Sequence, residues 1–128
     1  MKEIMAIIRM DMINTTKDAL VEAGFMAMNC KKVLGRGKKK VDFEFIEMAT
    51  KGTVELSSLR LAEYLSEGHR LISKRLISIV VKDENAQDVV NTIIKVNSKG
   101  KAGDGKIFVV PVSDVYTIRT GEWGEKAI

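Results

Sequence analysis

Leu71-Ile72-Ser73-Lys74-Arg75-Leu76-Ile77-Ser78-Ile79-Val80-Val81 decides the fold, because this strand-like run opens a pattern that the chain has already used once. After it, Asp83-Glu84-Asn85 offers a helix cap, Val89, Val90, Ile93 and Ile94 share a helical face, and residues 106–112 return to a strand. The first part of the chain has the same order. Residues 3–9 are apolar and β-favouring, Asn14-Thr15-Thr16 offers an N-cap, Ala19, Leu20 and Ala23 form part of an apolar face, Gly24 supplies the stop, and residues 25–34 read as strand. Laying Ile7-Ile8-Arg9 over Val80-Val81-Lys82 aligns both helices, so the chain consists of two βαβ halves.

Either half alone leaves its sheet uncovered. Joined in one antiparallel sheet with both helices on one face, the halves predict an α+β, ferredoxin-like double βαβ sandwich. Its second sheet face stays open, which predicts an oligomer.

At 128 residues the chain reads as a single domain, 1–128, with one core. An apolar fraction of 45% with 30% charged residues is that of a soluble globular protein. No apolar run approaches the roughly 20 residues that cross a bilayer, and the N-terminal apolar stretch is too short for a secretory signal, so a cytoplasmic location and no membrane insertion are expected. One cysteine, Cys30, and one histidine, His69, are too few for a Cys/His zinc site. Any metal has to arrive with a ligand. Cys30 reads as a buried strand residue, and the methionines as core filler and subunit contacts.

Three glycines and three lysines interleave over residues 99–107, directly before the last strand. Such a loop can fold backbone N–H groups and ammonium charge around a phosphate. A second basic glycine stretch, Gly35-Arg36-Gly37-Lys38-Lys39-Lys40, ends another strand-like run, so two loops can approach one anion from opposite sides. The formal charge of +4 is modest and gathers at 31–40, 70–75 and 95–106, a distribution that suits a small polyanion. Only 5% of residues are aromatic, which disfavours base stacking and a nucleic-acid partner.

Residues 35–70 fit neither half. Val41 to Met48 alternates like an extended ribbon, and Leu61, Tyr64 and Leu65 share a helical face before Gly68. A connection this long in a small domain reads as a protruding loop that orders on binding; an ordinary surface insertion with its own short helix is the alternative.

Gly103-Asp104-Gly105-Lys106-Ile107-Phe108-Val109, with Ile118-Arg119-Thr120-Gly121-Glu122 and a chain ending Ala127-Ile128, resembles the two signatures of the PII nitrogen-signalling family. Ala6-Ile7-Ile8-Arg9, Ala19-Leu20-Val21-Glu22-Ala23-Gly24 and Val33-Leu34-Gly35-Arg36-Gly37 resemble that family too. The resemblance implies a trimer whose clefts bind ATP or ADP, and 2-oxoglutarate beside Mg(2+)-ATP. It implies a T-loop at about 36–71, a B-loop at about 98–106 and a C-loop at about 117–128. Carried over by position, Gly103, Asp104, Gly105 and Lys106 face the phosphates, and Arg119 reaches in from the neighbouring subunit. Gly35, Gly37 and Lys38 lie at the T-loop base beside the nucleotide, Met28 and Val80 lie near the adenine, and Lys39 and Lys74 serve the effector, with Lys74 pairing a 2-oxoglutarate carboxylate.

The departures are specific. Lys38 and Lys39 stand where the family usually has arginine and glutamine, and lysine offers Mg(2+) no oxygen. Thr117 replaces an arginine, and Ser78 a glutamate. Tyr64 lacks the sequence context for uridylylation, and Trp123 stands at a usually polar position. The lengthened T-loop resembles the PII-like branch associated with nitrogen-fixation genes in methanogens and some anaerobes, whose paralogues act in pairs on dinitrogenase. Nitrogenase is therefore the expected target and self or a paralogue the trimer partner, with an ammonium transporter or glutamine synthetase as the alternative target. A small transferase is disfavoured, because Cys30 and His69 sit in no nucleophile and base arrangement.

Overall fold

In the computed structural model of the protein, the residues described are 1–35, 37 and 71–128. Expectations that fall elsewhere, including the extended ribbon, the short helix with Tyr64, and Lys38 and Lys39, lie outside the described residues. The chain divides into two compact units, one of Met1–Val33 with Ser73–Ile128 and one of Leu34–Ile72. In the second, the described residues are Leu34, Gly35, Gly37, Leu71 and Ile72.

The elements run β1 (Lys2–Arg9), α1 (Ile13–Glu22), β2 (Asn29–Gly35), β3 (Ile72–Val81), α2 (Ala86–Asn97) and β4 (Lys106–Pro111). The sheet order is β2-β3-β1-β4, with β1 antiparallel to both β3 and β4. This is the ferredoxin-like arrangement that two βαβ halves dictate.

Alternation along β1 sorts the two faces. Ile4, Ala6 and Ile8 are buried and, with Ile77, Ile79 and Val81 of β3, form the core beneath Leu20 of α1 and Val89 and Ile93 of α2. Burying each of the isoleucines contributes about 1.5–3 kcal/mol, which outweighs any local propensity term. The opposite face carries Glu3, Met5, Ile7 and Arg9, whose cross-strand partners include Val80, Ser78, Leu76 and Lys74 on β3 and Val110, Phe108 and Lys106 on β4. Phe108 is 45% exposed there, as the open face requires.

Gly24 ends α1 as expected. At φ +91 it lets its own N–H reach the Val21 carbonyl and the Phe25 N–H reach the Leu20 carbonyl, while Phe25 packs on the core.

Four local expectations are corrected. The helix begins at Ile13, after a 3-10 turn at Met10–Met12, so Asn14-Thr15-Thr16 is not its cap. Thr16 is buried instead, donating to the Met12 carbonyl at 2.7 Å and accepting from Asn97 Nδ2 at 2.9 Å. Residues 25–28 precede β2 rather than belong to it. Ile94 is half exposed at the border of the helical face. Cys30 is exposed, because β2 is an edge strand whose residues from Asn29 to Lys32 are all open to solvent.

The Thr16 hydroxyl joins α1 to α2 through Asn97, so Thr16→Val is expected to cost about 1–3 kcal/mol by withdrawing an acceptor from a buried amide. Urea denaturation followed by circular dichroism measures it; an unchanged midpoint contradicts that role for Thr16.

Candidate functional site

β1 and β3 bring basic side chains to one end of the open face. Arg9 stands opposite Lys74, and Ile7 opposite Lys106. Two cations side by side on a sheet repel each other unless a compensating group lies between them. The loop from Ser98 to Gly105 supplies it. Asp104 Oδ1 pairs with Arg9 Nη1 at 2.7 Å, Arg9 Nη2 donates to the Ala102 carbonyl at 3.4 Å, and Lys74 Nζ donates to the Gly103 carbonyl at 2.6 Å.

Asp104 also shapes the loop from within. Its Oδ2 accepts the backbone N–H of Lys99 at 2.9 Å and of Lys101 at 3.2 Å. The Lys99 N–H is the main reason that the carboxyl lies below its ordinary pKa of 3.8; partial desolvation opposes this, and the Lys101 N–H and the Arg9 charge reinforce it. Three glycines make the path feasible, with φ of +68 at Gly100, +99 at Gly103 and +120 at Gly105. A Cβ on Gly105 would be driven into the carbonyl oxygen of Ile7, so only glycine lets the loop lie against β1.

Of the residues singled out in the sequence, Lys74, Gly103, Asp104, Gly105 and Lys106 thus gather at one place. Val80 lies further along the same open face, half buried, beside the Ser78 hydroxyl that donates to Glu3 Oε1. Met28 is half buried against the core, before β2. Gly35 closes β2 and Gly37 is exposed, both in the second unit; Lys38 and Lys39 are outside the described residues. Arg119 is exposed on a turn closed by Thr117 N–H to the Glu122 carbonyl and Gly121 N–H to the Thr117 carbonyl, both at 2.8 Å, with Tyr116 bridging Trp123 at its base. Arg9 is the residue that composition and spacing do not single out. Only the register, which sets it opposite Lys74, gives it a place.

Chemically, the ensemble is a glycine loop held in shape by a carboxylate, with lysine and arginine beside it. It suits a small anion bound by backbone N–H groups and ammonium charge. Among the described residues, no three His, Cys, Asp or Glu side chains are grouped to hold a metal ion, and no helix is long and apolar enough to cross a membrane.

Comparison with known proteins places this geometry in context. The family model described as nitrogen regulatory protein P-II matches residues 1–122. The chain is 46% identical to nitrogen fixation nifHD region GlnB-like protein 2 of Methanobacterium ivanovii over 128 residues, covering 100% of this chain and 99% of that one. It is 41% identical to nitrogen fixation nifHD1 region GlnB-like protein 2 of Methanosarcina barkeri, with the same coverage. A crystal structure of Arabidopsis thaliana PII bound to citrate superposes with a TM-score of 0.69 at 32% identity, covering 98% of this chain and 87% of that one.

Gly105→Ala is expected to cost about 2–4 kcal/mol, since it adds a backbone collision to positive-φ strain, whereas Gly100→Ala, with open space around its Cβ position, costs about 1 kcal/mol. Equal losses in urea melts contradict the packing of Gly105 on Ile7. Because the folded Asp104 pKa is lowered, its stabilising effect is complete above the ordinary value of 3.8 and disappears as pH falls through the lower folded value. Acid titration followed by the amide resonances of Lys99 and Lys101 is expected to show this loosening, and Asp104→Asn to abolish the transition.

Proposed function

This chain belongs to the nitrogen regulatory protein P-II family, and on that premise we propose that it is a nitrogen-status regulator that senses ATP or ADP together with 2-oxoglutarate. It acts as a trimer, alone or with a paralogue, and controls nitrogenase through the T-loop. The single observation that carries this reading is the hydrogen bond from Lys74 to the Gly103 carbonyl, which brings the lysine we assign to the effector beside the glycine loop we assign to the phosphates.

The nucleotide's polyphosphate lies along the Gly103–Lys106 backbone, with Lys106 neutralising charge from the loop's own subunit and Arg119 from the neighbouring one. Lys74 pairs a carboxylate of 2-oxoglutarate. Magnesium would arrive with the nucleotide, because Lys39 offers it no oxygen. The citrate in the Arabidopsis PII structure supports carboxylate recognition in this family. The nifHD-region relatives support nitrogenase as the target. The open sheet face, with Phe108, Val110 and Met5 side by side, supports the association of subunits.

Regulation follows from differential binding. An effector at the base of the T-loop changes the loop's engagement with its target only by as much as it favours one loop conformation over the other. The required number is therefore an energetic coupling between ATP and 2-oxoglutarate.

Calorimetric titration with ATP, ADP and AMP, each with and without 2-oxoglutarate and Mg(2+), tests the reading. ATP and 2-oxoglutarate are expected to tighten each other's binding reciprocally by about 5–150-fold. Arg119→Ala is expected to weaken ATP by about tenfold or more, and Lys74→Gln to remove the 2-oxoglutarate response while ATP still binds. A monomer with no affinity for adenine nucleotides at millimolar concentration overturns the proposal.

A further inference from the structure

The turn that carries Arg119 presents an apolar surface that the core does not use. Trp123 is 65% exposed and Tyr116 64%, and Ile118, between them in the chain, is wholly open to solvent. Tyr116 and Trp123 form an antiparallel bridge, so their side chains stand on the same side of the ribbon. Large rings gain much by burial, and a cluster of them left in water marks a surface that something else covers.

Their place beside Arg119 narrows what that is. The Thr117 and Gly121 N–H groups hold the ribbon closed, and the Glu122 carboxylate accepts the Thr120 hydroxyl at 3.0 Å. Arg119 is exposed on the turn, three residues from Tyr116, so a guanidinium and an aromatic pair are carried at most roughly 11 Å apart along the backbone. A ligand that answers both has an anionic end and a flat apolar end a short distance apart. Nucleotides have that form, a phosphate chain and a base joined through one sugar. A mononucleotide needs only one ring to stack on, so the low aromatic content that disfavours a nucleic acid does not count against it.

We propose that Trp123 is a base-stacking residue, whose indole covers the adenine of the nucleotide that Arg119 meets at its phosphates. This role rests on the sensor reading above and adds to it a contact with the base. Trp123 comes from the same subunit as Arg119, so the base, like the phosphates, is incompletely held without the neighbouring copy. Every base has a π-face, so stacking here adds affinity without choosing among bases.

The chain has one tryptophan, so its emission reads the stacking directly. ATP is expected to quench that emission saturably, over the concentrations at which calorimetry shows it to bind. Inorganic tripolyphosphate, which has the charge but no base, is expected to leave the emission unchanged at millimolar concentration. Trp123→Ala is expected to weaken ATP about 5–150-fold with the oligomeric state in sedimentation unaltered, and Trp123→Phe, which keeps a ring, to retain most of the affinity. ATP that binds without quenching overturns the proposal, as does equal quenching by tripolyphosphate. So do a Trp123→Ala variant that binds ATP as tightly as the unaltered protein, and loss of the oligomer in that variant, which makes Trp123 a subunit contact instead. Each of these results leaves the sensor reading standing, whereas the absence of any ATP binding removes both. The emission of the unaltered protein decides the matter if Trp123→Ala fails to fold.

Discussion

The alternation of side chains along β1 is the constraint from which both the core and the charged site follow. Ile4, Ala6 and Ile8 must face the helices to be buried, and a strand has a period of two, so Ile7 and Arg9 are obliged to face the other way. A slip of one residue would bury Arg9 and expose Ile8, which hydrophobic burial forbids by several kcal/mol. The basic end of the open face is thus a geometric consequence of the core. The candidate site is placed by packing on the opposite side of the same strand.

Electrostatics then determine the form of the loop from Ser98 to Gly105. Arg9 and Lys74 are cross-strand neighbours of like sign, and the loop answers each differently, one with the Asp104 carboxylate and the other with the Gly103 carbonyl. Asp104 serves two kinds of donor at once, since the oxygen that meets the N–H groups of Lys99 and Lys101 is not the one that meets Arg9. Its role in this structure is to hold the loop in shape, which leaves cationic and backbone N–H groups to meet an anion.

Much of this architecture is legible in the residues themselves. The duplicated βαβ order, the Gly24 stop and the buried positions Leu20, Val89 and Ile93 follow from periodicity and capping chemistry, which are local. The Gly103–Lys106 run is visible as a loop that can surround an anion. What escapes is what depends on distant partners. Thr16 looks like a cap because its hydroxyl suits one, yet it is claimed by Asn97, 81 residues away. Cys30 has the composition of a core residue, but edge position decides its exposure. Arg9 acquires its place through strand register, which no single stretch of sequence encodes. The proximity of Lys74 to the loop is implied beforehand only by family resemblance, because β3 and the loop lie far apart in the chain.

Trp123 is the chain's single tryptophan, it is 65% exposed, and it sits at the base of the Arg119 turn, far in sequence from the buried isoleucines. Its intrinsic emission therefore reports the solvation of that turn, while far-ultraviolet dichroism reports the sheet and helices. A turn held by a few exposed backbone hydrogen bonds opens at lower free energy than the core. Two optical transitions that fail to coincide would here signify fraying of one corner of the molecule, so spectroscopic disagreement is no evidence of a folding intermediate in the domain.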